Sequence, residues 1–319
     1  MNKYVKKAVV PVVVCGLLLI GSVARAGQPV RIAILAHDSL KSTVRTLQGA
    51  KKVIKREQSE VAFYSFLVAD EVGRNLSIID SLEKLQPTVI LTVGSSATEF
   101  AQTSFTDIPI VFSAVKYPVL SGFVESMNRS GNNLTGASLD VPIRVQFTYF
   151  KKIVPDLKKI GVLYSKNTAD LIPQAKVVAR QARCQLVPIA VNSFKELPHA
   201  LDSLATAADG IWGIADPNLF DPRSTRYILL NTLRKGIPFM GFSRHVVESG
   251  ALFALDFDYK AIGFQAGDAV NRIIAGENPR DIPITTADVI WFHYNEKTAA
   301  LINVTVPEEL VAVAKEVYR

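Results

Sequence analysis

Short apolar runs alternate with longer amphipathic segments along most of the chain. Apolar runs of this length predict strands, and segments in which apolar residues recur every three or four positions predict helices. In the first part of the chain the predicted strands are 31–36, 60–66, 88–93 and 108–114. The predicted helices between them are 40–57, 75–85 and 97–104.

The same alternation restarts after LTGASLDVP at 134–142, which reads as a join between two series. The second series has predicted helices at 143–154, 169–183, 194–206, 223–235 and 261–275. Its predicted strands are 159–165, 184–191, 209–215, 237–242 and 251–257. Strands that are apolar on both faces and separated by helices indicate parallel sheets covered on both sides. The pattern therefore predicts an α/β fold with two doubly wound lobes.

Residues 1–26 have the layout of a secretory signal peptide. Lys3, Lys6 and Lys7 precede an apolar run at 8–23, and Ala24-Arg25-Ala26 forms a small-x-small cleavage site. The alternative is a retained membrane anchor, but the run is shorter than the roughly 20 residues that span a bilayer. Cys15 follows three valines, a poor context for a lipoprotein. We therefore expect a cleaved, unlipidated protein in the periplasm.

Removing this segment changes the interpretation of charge and cysteine content. The formal charge of +7 includes four basic residues within 1–26, so the mature chain carries only about +3. Such a balance gives no support to nucleic-acid binding, which needs a basic patch. Cys184 is then the one remaining cysteine, so no intrachain disulfide can form, and its apolar context predicts a buried small hydrophobe.

Glycine and hydroxyl residues follow the predicted strand that ends in LTVGSSATEF, at 91–100. Ligands of open parallel sheets bind beyond the carboxyl ends of the strands. Gly94 permits a close turn, and Ser95, Ser96 and Thr98 precede or begin a helix, whose N-terminus attracts anions. One serine could instead serve only as the helix cap. The residues leave both interpretations open.

Polar and aromatic residues also follow the other predicted strands. Turn chemistry alone could explain each one, but their placement at the same edge of two sheets makes them candidates for ligand binding. These candidates are His37, Ser113, Lys116, Tyr117, Tyr164, Asn167, Asp216, Asn218 and Phe242.

Catalytic and metal-binding patterns are scarce. Gly241-Phe-Ser243-Arg-His245 resembles a nucleophile elbow but has histidine in place of its last glycine. The four histidines lack the spacing of metal ligands, and no glycine-rich phosphate-binding motif follows the first strand. We therefore predict no catalytic residues, no metal and no cofactor, and favour a binding protein.

Several stretches resemble, in the same order, the TrpX-like family of ABC transporter substrate-binding proteins. They include IPIVFSAVKYP, DLKKIGVLYSKNTAD, IWGIADPNLF, GIPFMGFSRHVVESGALFALDF and LINVTVPEEL, and the resemblance covers nearly all of residues 30–310. It implies the type I periplasmic-binding-protein fold, with two Rossmann-like lobes hinged around a ligand cleft. One departure is Lys116-Tyr117-Pro118, where the family has x-Asp-Pro, so an aromatic residue replaces an acidic one beside the expected cleft.

The resemblance also implies a function and an organisation. The N-terminal lobe is expected at 27–141 plus roughly 257–285, and the C-terminal lobe at 142–256 plus roughly 286–319. A monomer is expected to bind a small solute, amino-acid-like or aromatic, and to deliver it to a membrane permease. The alternative is a periplasmic sensor module that reports its ligand to a membrane signalling protein.

Within such a cleft the candidates take distinct roles. We expect Ser95, Ser96 and Thr98 to receive a carboxylate, and Asp216, helped by Asn218, to receive an amine. Tyr117, Tyr164 and Phe242 are expected to line an apolar part. Asp140 and Asp256 fall at expected crossings between the lobes, where hinge or cap chemistry is favoured over ligand contact; His37 is placed with them at the cleft edge.

Overall fold

A computed structural model describes residues 29–69 and 72–319. The predicted signal peptide lies outside these residues. The first elements are β1 (Val30–Ala36), α1 (Lys41–Glu57), β2 (Val61–Leu67), α2 (Val72–Leu85), β3 (Val89–Val93), α3 (Ser95–Ser104), β4 (Ile110–Val115) and β5 (Leu134–Ser138). These strands form one parallel sheet in the order β2-β1-β3-β4-β5.

The remaining elements build a second sheet, except for helix α9 (Tyr259–Ile274), which packs on the first sheet. The first of these elements are α4 (Ile143–Ile153), β6 (Lys159–Tyr164), α5 (Leu171–Gln181), β7 (Gln185–Ala190), α6 (Leu197–Ala207), β8 (Gly210–Trp212), α7 (Pro222–Arg234), β9 (Phe239–Gly241) and α8 (Arg244–Glu248). The last are β10 (Phe253–Phe257), α9, β11 (Ile290–Asn295), α10 (Glu296–Leu301), α11 (Glu308–Ala312) and β12 (Glu316–Tyr318). The strand order is β12-β11-β10-β9-β8-β6-β7.

The predicted α/β fold with two parallel sheets is confirmed, and the predicted strands and helices are present with ends that differ by a few residues. Three strands had not been predicted. Residues Leu134–Ser138 form β5 rather than a join, and they complete the edge of the first sheet. The second sheet gains β11 and β12, and β11 runs antiparallel to β10.

The chain passes between the two sheets at three places. It leaves the first sheet between β5 and α4, and it returns between β10 and α9. It leaves again after Thr285, whose backbone bridges to Ala137 beside β5, and enters β11. The lobe boundaries given above stay a prediction.

Apolar side chains cover both faces of each sheet. On the first sheet, Ile34 and Val111 pack towards α1 and α9, while Leu35 and Phe112 pack on the opposite face. The second sheet has two equivalent clusters, and Cys184 is buried in one of them, as predicted. No helix among the described residues is both long enough and apolar enough to span a membrane.

Helix α9 joins the first sheet by packing closely against α1. Gly49 on α1 faces the carbonyl of Lys260, and Gly263 on α9 faces the carbonyl of Thr46. A methyl group at either glycine would overlap these backbone atoms. The two helices, which are more than 200 residues apart in sequence, therefore meet backbone to backbone.

Because of this contact, we expect that replacing a glycine by alanine in α9 lowers stability, the opposite of the usual effect in a helix. Alanine normally stabilises a helix interior by about 0.5–1 kcal/mol relative to glycine. We expect Gly263→Ala instead to destabilise the protein by about 1–3 kcal/mol, because overpacking displaces the backbone. Urea unfolding measures the difference. Asp268→Ala, at an exposed position of the same helix, should change stability by less than about 0.5 kcal/mol; increased stability of Gly263→Ala would contradict the close packing.

Candidate functional site

A cavity of about 500 Å³ lies between the two sheets, beside the segments that cross between them. Its walls come from the segment after β4, from the crossing before α4, from α4 and α5, and from the carboxyl ends of β8, β9 and β10. Polar lining residues include Lys116, Glu125, Asp140, Arg144, Gln146 and Gln174. Aromatic lining residues are Tyr117, Trp212, Phe242 and Phe257.

An irregular end of β4 places Tyr117 at this cavity. The register shifts between Ser113 and Val115, and both Ala114 (φ 58°) and Tyr117 (φ 49°) adopt left-handed backbone conformations. The Tyr117 ring packs against the core of the second sheet although its backbone follows a strand of the first. Burial raises the pKa of its hydroxyl, and the charges of Asp140 and Asp216 raise it further. Tyr117 is therefore a neutral hydroxyl at neutral pH.

Asp140 holds the crossing segment against this turn. Its Oδ2 accepts hydrogen bonds from the backbone N–H of Tyr117 (2.9 Å) and from the hydroxyl of Ser138 (2.8 Å). Burial raises the pKa of its carboxyl, although these two hydrogen bonds and Lys116 counteract the effect. Within the described residues no hydrogen bond reaches Oδ1. Asp140 therefore lines the cavity with one oxygen that a ligand could use.

Aromatic rings form much of the apolar wall. Trp212, at the end of β8, is 2% exposed and meets Phe147 edge to face at 5.1 Å. Phe242 follows β9 and meets Phe220 in a similar way at 4.9 Å. Edge-to-face pairs of this kind add to the stability gained from burial alone. The rings therefore give the cavity an apolar surface that is held in place by packing.

Cations and anions share the rim of the cavity. Lys116, Arg144 and Glu125 line it and are exposed. None of the ion pairs among the described residues includes Arg144, so its guanidinium is available for a ligand. Together with Asp140, the site offers both signs of charge beside an apolar wall.

The predicted anion-binding site after β3, formed by Ser95, Ser96 and Thr98, lies outside the lining of this cavity. Helix α3 begins at Ser95, and its N-cap is Gly94 (φ 87°), so the alternative interpretation, in which Ser95 or Ser96 caps the helix through its side chain, is wrong. Both serines are exposed. Thr98 is fully buried, and its hydroxyl lies 2.7 Å from that of Thr92 and donates to the Gly94 carbonyl at 2.8 Å.

Asp216, the predicted amine receptor, is fully buried and also lies outside the lining. Its Oδ2 accepts from the backbone N–H of Ser165 (3.0 Å) and the hydroxyl of Thr168 (2.6 Å), and its Oδ1 from the N–H of Asn218 (2.9 Å). Desolvation raises the pKa of this carboxyl, but the hydrogen bonds outweigh it and hold the pKa below its ordinary value. Asp216 thus joins the loops after β6 and β8.

The remaining candidates fall into two groups. Lys116, Tyr117 and Phe242 line the cavity, and Asp140 joins them there. Six others lie outside its lining: His37, Ser113, Tyr164, Asn167, Asn218 and Asp256. The Ser113 hydroxyl is buried with no hydrogen-bond partner among the described residues. Asp256 accepts from the backbone N–H groups of Phe257 and Arg244 at 2.9 and 3.4 Å, where β10 ends. The binding roles proposed for these residues stay predictions.

Sequence reasoning missed Trp212, Gln146 and Arg144. Trp212 could have been found, because it lies at the carboxyl end of a predicted strand, in the position that had selected the other candidates. Gln146 and Arg144 lie in the first turn of α4. Only the path of the crossing segment brings this turn to the cavity.

Residues 30–318 match the family of ABC transporter substrate binding proteins. The chain belongs to this family. A curated relative, the tyrosine-binding protein of Clostridioides difficile, is 28% identical over 215 residues, or 66% of this chain. The matched region spans 61% of that relative's length. Since the family consists of substrate-binding proteins, the prediction that the chain is not an enzyme is confirmed.

Solved structures agree with the fold. A ligand-free, open structure of a substrate-binding protein with adhesive properties from Clostridium difficile has a TM-score of 0.76. It is 21% identical and covers 90% of this chain and 99% of its own. An ABC domain from Streptococcus pneumonia in complex with L-Trp has a TM-score of 0.64 at 21% identity, and covers 91% of this chain and 100% of its own. At these identities the two structures establish the fold alone.

The environment of Asp216 predicts a structural role that can be measured directly. We expect Asp216→Asn to lower the free energy of unfolding at pH 7 by about 1–3 kcal/mol, because an amide group would face buried donors that the carboxylate accepts. The native pKa is depressed, so the stabilisation is present above the ordinary value of 3.8 and is lost as the pH falls through the native pKa. Denaturant unfolding between pH 7 and pH 3 measures both effects.

The control for this prediction is Asp170→Asn. Asp170 is exposed at the start of α5, and its side chain makes no capping hydrogen bond. The control should therefore leave stability almost unchanged. Equal, small effects of both substitutions at pH 7 would contradict the structural role of Asp216.

Proposed function

We propose that this substrate-binding protein captures an amino acid with an aromatic or other apolar side chain and delivers it to the permease of an ABC transporter. The observation that carries the proposal is the cavity between the sheets. It places the Oδ1 of Asp140 and the guanidinium of Arg144, which have no hydrogen-bond or ion-pair partner among the described residues, beside the rings of Tyr117, Trp212 and Phe242. A zwitterion with an apolar side chain complements this combination.

Asp140 is the proposed receptor of the ammonium group. Its Oδ2 is held by Ser138 and Tyr117, so the carboxylate is oriented before the ligand arrives. Preorganisation of this kind reduces the entropy lost on binding. An ammonium group at Oδ1 would also relieve the cost of burying the carboxylate charge.

Arg144 is the proposed receptor of the carboxylate. Its planar guanidinium can form two parallel hydrogen bonds to a carboxylate, which gives orientation as well as affinity. Lys116, which also lines the cavity, adds a second positive charge. The earlier prediction, an anion at Ser95, Ser96 or Thr98 and an amine at Asp216, remains the competing placement for the same ligand class.

The relatives support the proposed solute class. One is described as a tyrosine-binding protein, and a structural neighbour was solved in complex with L-Trp. Membership of a transporter family favours delivery to a permease over signalling to a membrane sensor. Export by the predicted signal peptide would place the mature chain, from Gly27, in the periplasm.

Calorimetric titration of the mature protein with L-tyrosine, L-tryptophan and L-phenylalanine tests the proposal. We expect saturable binding of at least one of them, and much weaker binding of L-lysine and L-glutamate, whose charged side chains would be desolvated against the rings. Ligand binding should also raise the melting temperature, since it stabilises the folded state by about 2.7 kcal/mol at a hundredfold excess over Kd. No binding of any aromatic amino acid would refute the proposed solute class.

Asp140→Asn is expected to weaken the binding of the aromatic amino acid by about ten- to a hundredfold, because one hydrogen bond to a charged group is lost. Wild-type affinity should fall as the pH drops towards the raised pKa of Asp140, since the protonated carboxyl no longer attracts an ammonium group. Affinity of the variant should change less over the same range. Calorimetry from pH 7 to pH 4 measures this. If Asp216→Asn weakens binding strongly and Asp140→Asn does not, the amine is bound by Asp216.

Arg144→Gln tests whether Arg144 binds the carboxylate of the amino acid. We expect about a tenfold loss of affinity, with little change in stability because the side chain is exposed. The methyl ester of the same amino acid should lose affinity for the wild type and show a smaller difference between wild type and variant. The double variant Ser95→Ala, Ser96→Ala is the comparison. If the double variant loses more affinity than Arg144→Gln does, the carboxylate is bound at Ser95, Ser96 or Thr98 instead.

A further inference from the structure

A chain of two side-chain hydrogen bonds connects the crossing segment to the aromatic wall of the cavity. Gln146, in the first turn of α4, donates from Nε2 to the Val141 carbonyl at 2.7 Å. Its Oε1 accepts from the indole Nε1 of Trp212, also at 2.7 Å. Val141 lies between β5 and α4, where the chain first passes from one sheet to the other. One glutamine therefore bonds the crossing and the end of β8 at the same time.

The chemistry of the two partners dictates the orientation of the Gln146 amide. An indole N–H can only donate, and a backbone carbonyl can only accept. A rotated amide would place its NH2 group against the indole N–H and its oxygen against the Val141 carbonyl, and both hydrogen bonds would be lost. The backbone N–H of Gln146 also donates to the Pro142 carbonyl at 3.1 Å. Side chain and backbone together thus fix the crossing to α4.

These bonds determine which surface Trp212 presents to the solute. The only polar atom of the indole is used by Gln146, so the ring offers carbon atoms alone to the cavity. Phe147, the next residue of α4, meets the ring edge to face and restricts its tilt. Two successive residues of one helix therefore set the position of this wall.

We propose that Gln146 is a positioning residue of the solute site. It holds Trp212 as an apolar wall, and it ties this wall to the crossing segment, whose backbone must rotate when hinged lobes close around a ligand. The proposal rests on the proposed function, because it concerns the affinity of the same cavity for an aromatic amino acid. Gln146 acts through Trp212 rather than as the main contact of the solute.

The test substitution is Gln146→Met, which preserves side-chain length and helix propensity and removes both polar atoms. We expect the Kd of L-tyrosine, measured by calorimetry, to rise about three- to tenfold, because, of the two hydrogen bonds that the substitution removes, only the one to Trp212 positions the cavity wall. The matched control is Gln181→Met, an exposed glutamine at the end of α5 that does not line the cavity. The control should bind L-tyrosine as the wild type does.

A double-mutant cycle separates positioning from direct contact. Trp212→Phe removes the indole N–H, so Gln146 has no partner there. If Gln146 acts through Trp212, Gln146→Met should change Kd by less than about twofold in the Trp212→Phe background. The same three- to tenfold loss in both backgrounds would mean that Gln146 does not act through Trp212, and would overturn the proposal.

Fluorescence gives a readout that needs no solute. The chain has two tryptophans, so Trp291→Phe leaves Trp212 as the sole indole reporter. In that background Gln146→Met should shift the emission to shorter wavelength, because the indole loses its hydrogen bond, whereas Gln181→Met should not. Unchanged emission would overturn the proposal. If the wild type binds no aromatic amino acid, the proposed function fails; if it binds L-tyrosine and Gln146→Met binds it equally well, only the positioning role fails.

Discussion

The close packing of α1 against α9 is the constraint on which the two-sheet arrangement depends. The chain enters the second sheet after β5 and must come back, and α9 comes back because Gly49 and Gly263 allow the two helix backbones to touch. Once α9 is fixed on the first sheet, the chain has to leave it again to reach β11. Three crossings between the sheets result within the described residues.

The crossings also build the cavity. Asp140 and Val141 belong to the first crossing, and Thr286 to the last, and all three line it. Asp140 bonds the turn after β4, while Gln146 bonds the crossing to the wall at Trp212. Both groups of hydrogen bonds converge on the first crossing, so Tyr117 and Trp212, two walls of the cavity, are connected through one short segment.

Hydrophobic periodicity was sufficient to predict most of the fold, because buried parallel strands are short apolar runs between amphipathic helices. Hydrophobic periodicity did not predict the strands whose own residues show no clear apolar pattern. The strand LTGAS has only one large apolar residue and a central glycine, and it is a strand because it pairs with β4 along the sheet edge. The segment IWFHYN contains His293 and Asn295, yet it is buried between β10 and β12. Both segments are strands because they pair with strands that are distant in sequence, and a short stretch of sequence does not contain this information.

The candidate site was predictable only from one rule, that ligands of open parallel sheets bind beyond the carboxyl ends of the strands. That rule selected Lys116, Tyr117 and Phe242, which line the cavity, and it equally selected Asp216, which does not. Asp216 and Asp140 differ in the donors that their carboxylates receive. Asp216 faces three donors from its own lobe, which satisfy both carboxylate oxygens and lower its pKa. Asp140 receives two donors on the same oxygen, and burial raises its pKa. A carboxylate whose two oxygens both accept hydrogen bonds from the protein holds loops together, whereas one with an oxygen that accepts none, in a cavity, gains most from an ammonium group. Such a distinction depends on which backbone N–H groups point at each carboxylate, and therefore on the folded chain rather than on the residue type.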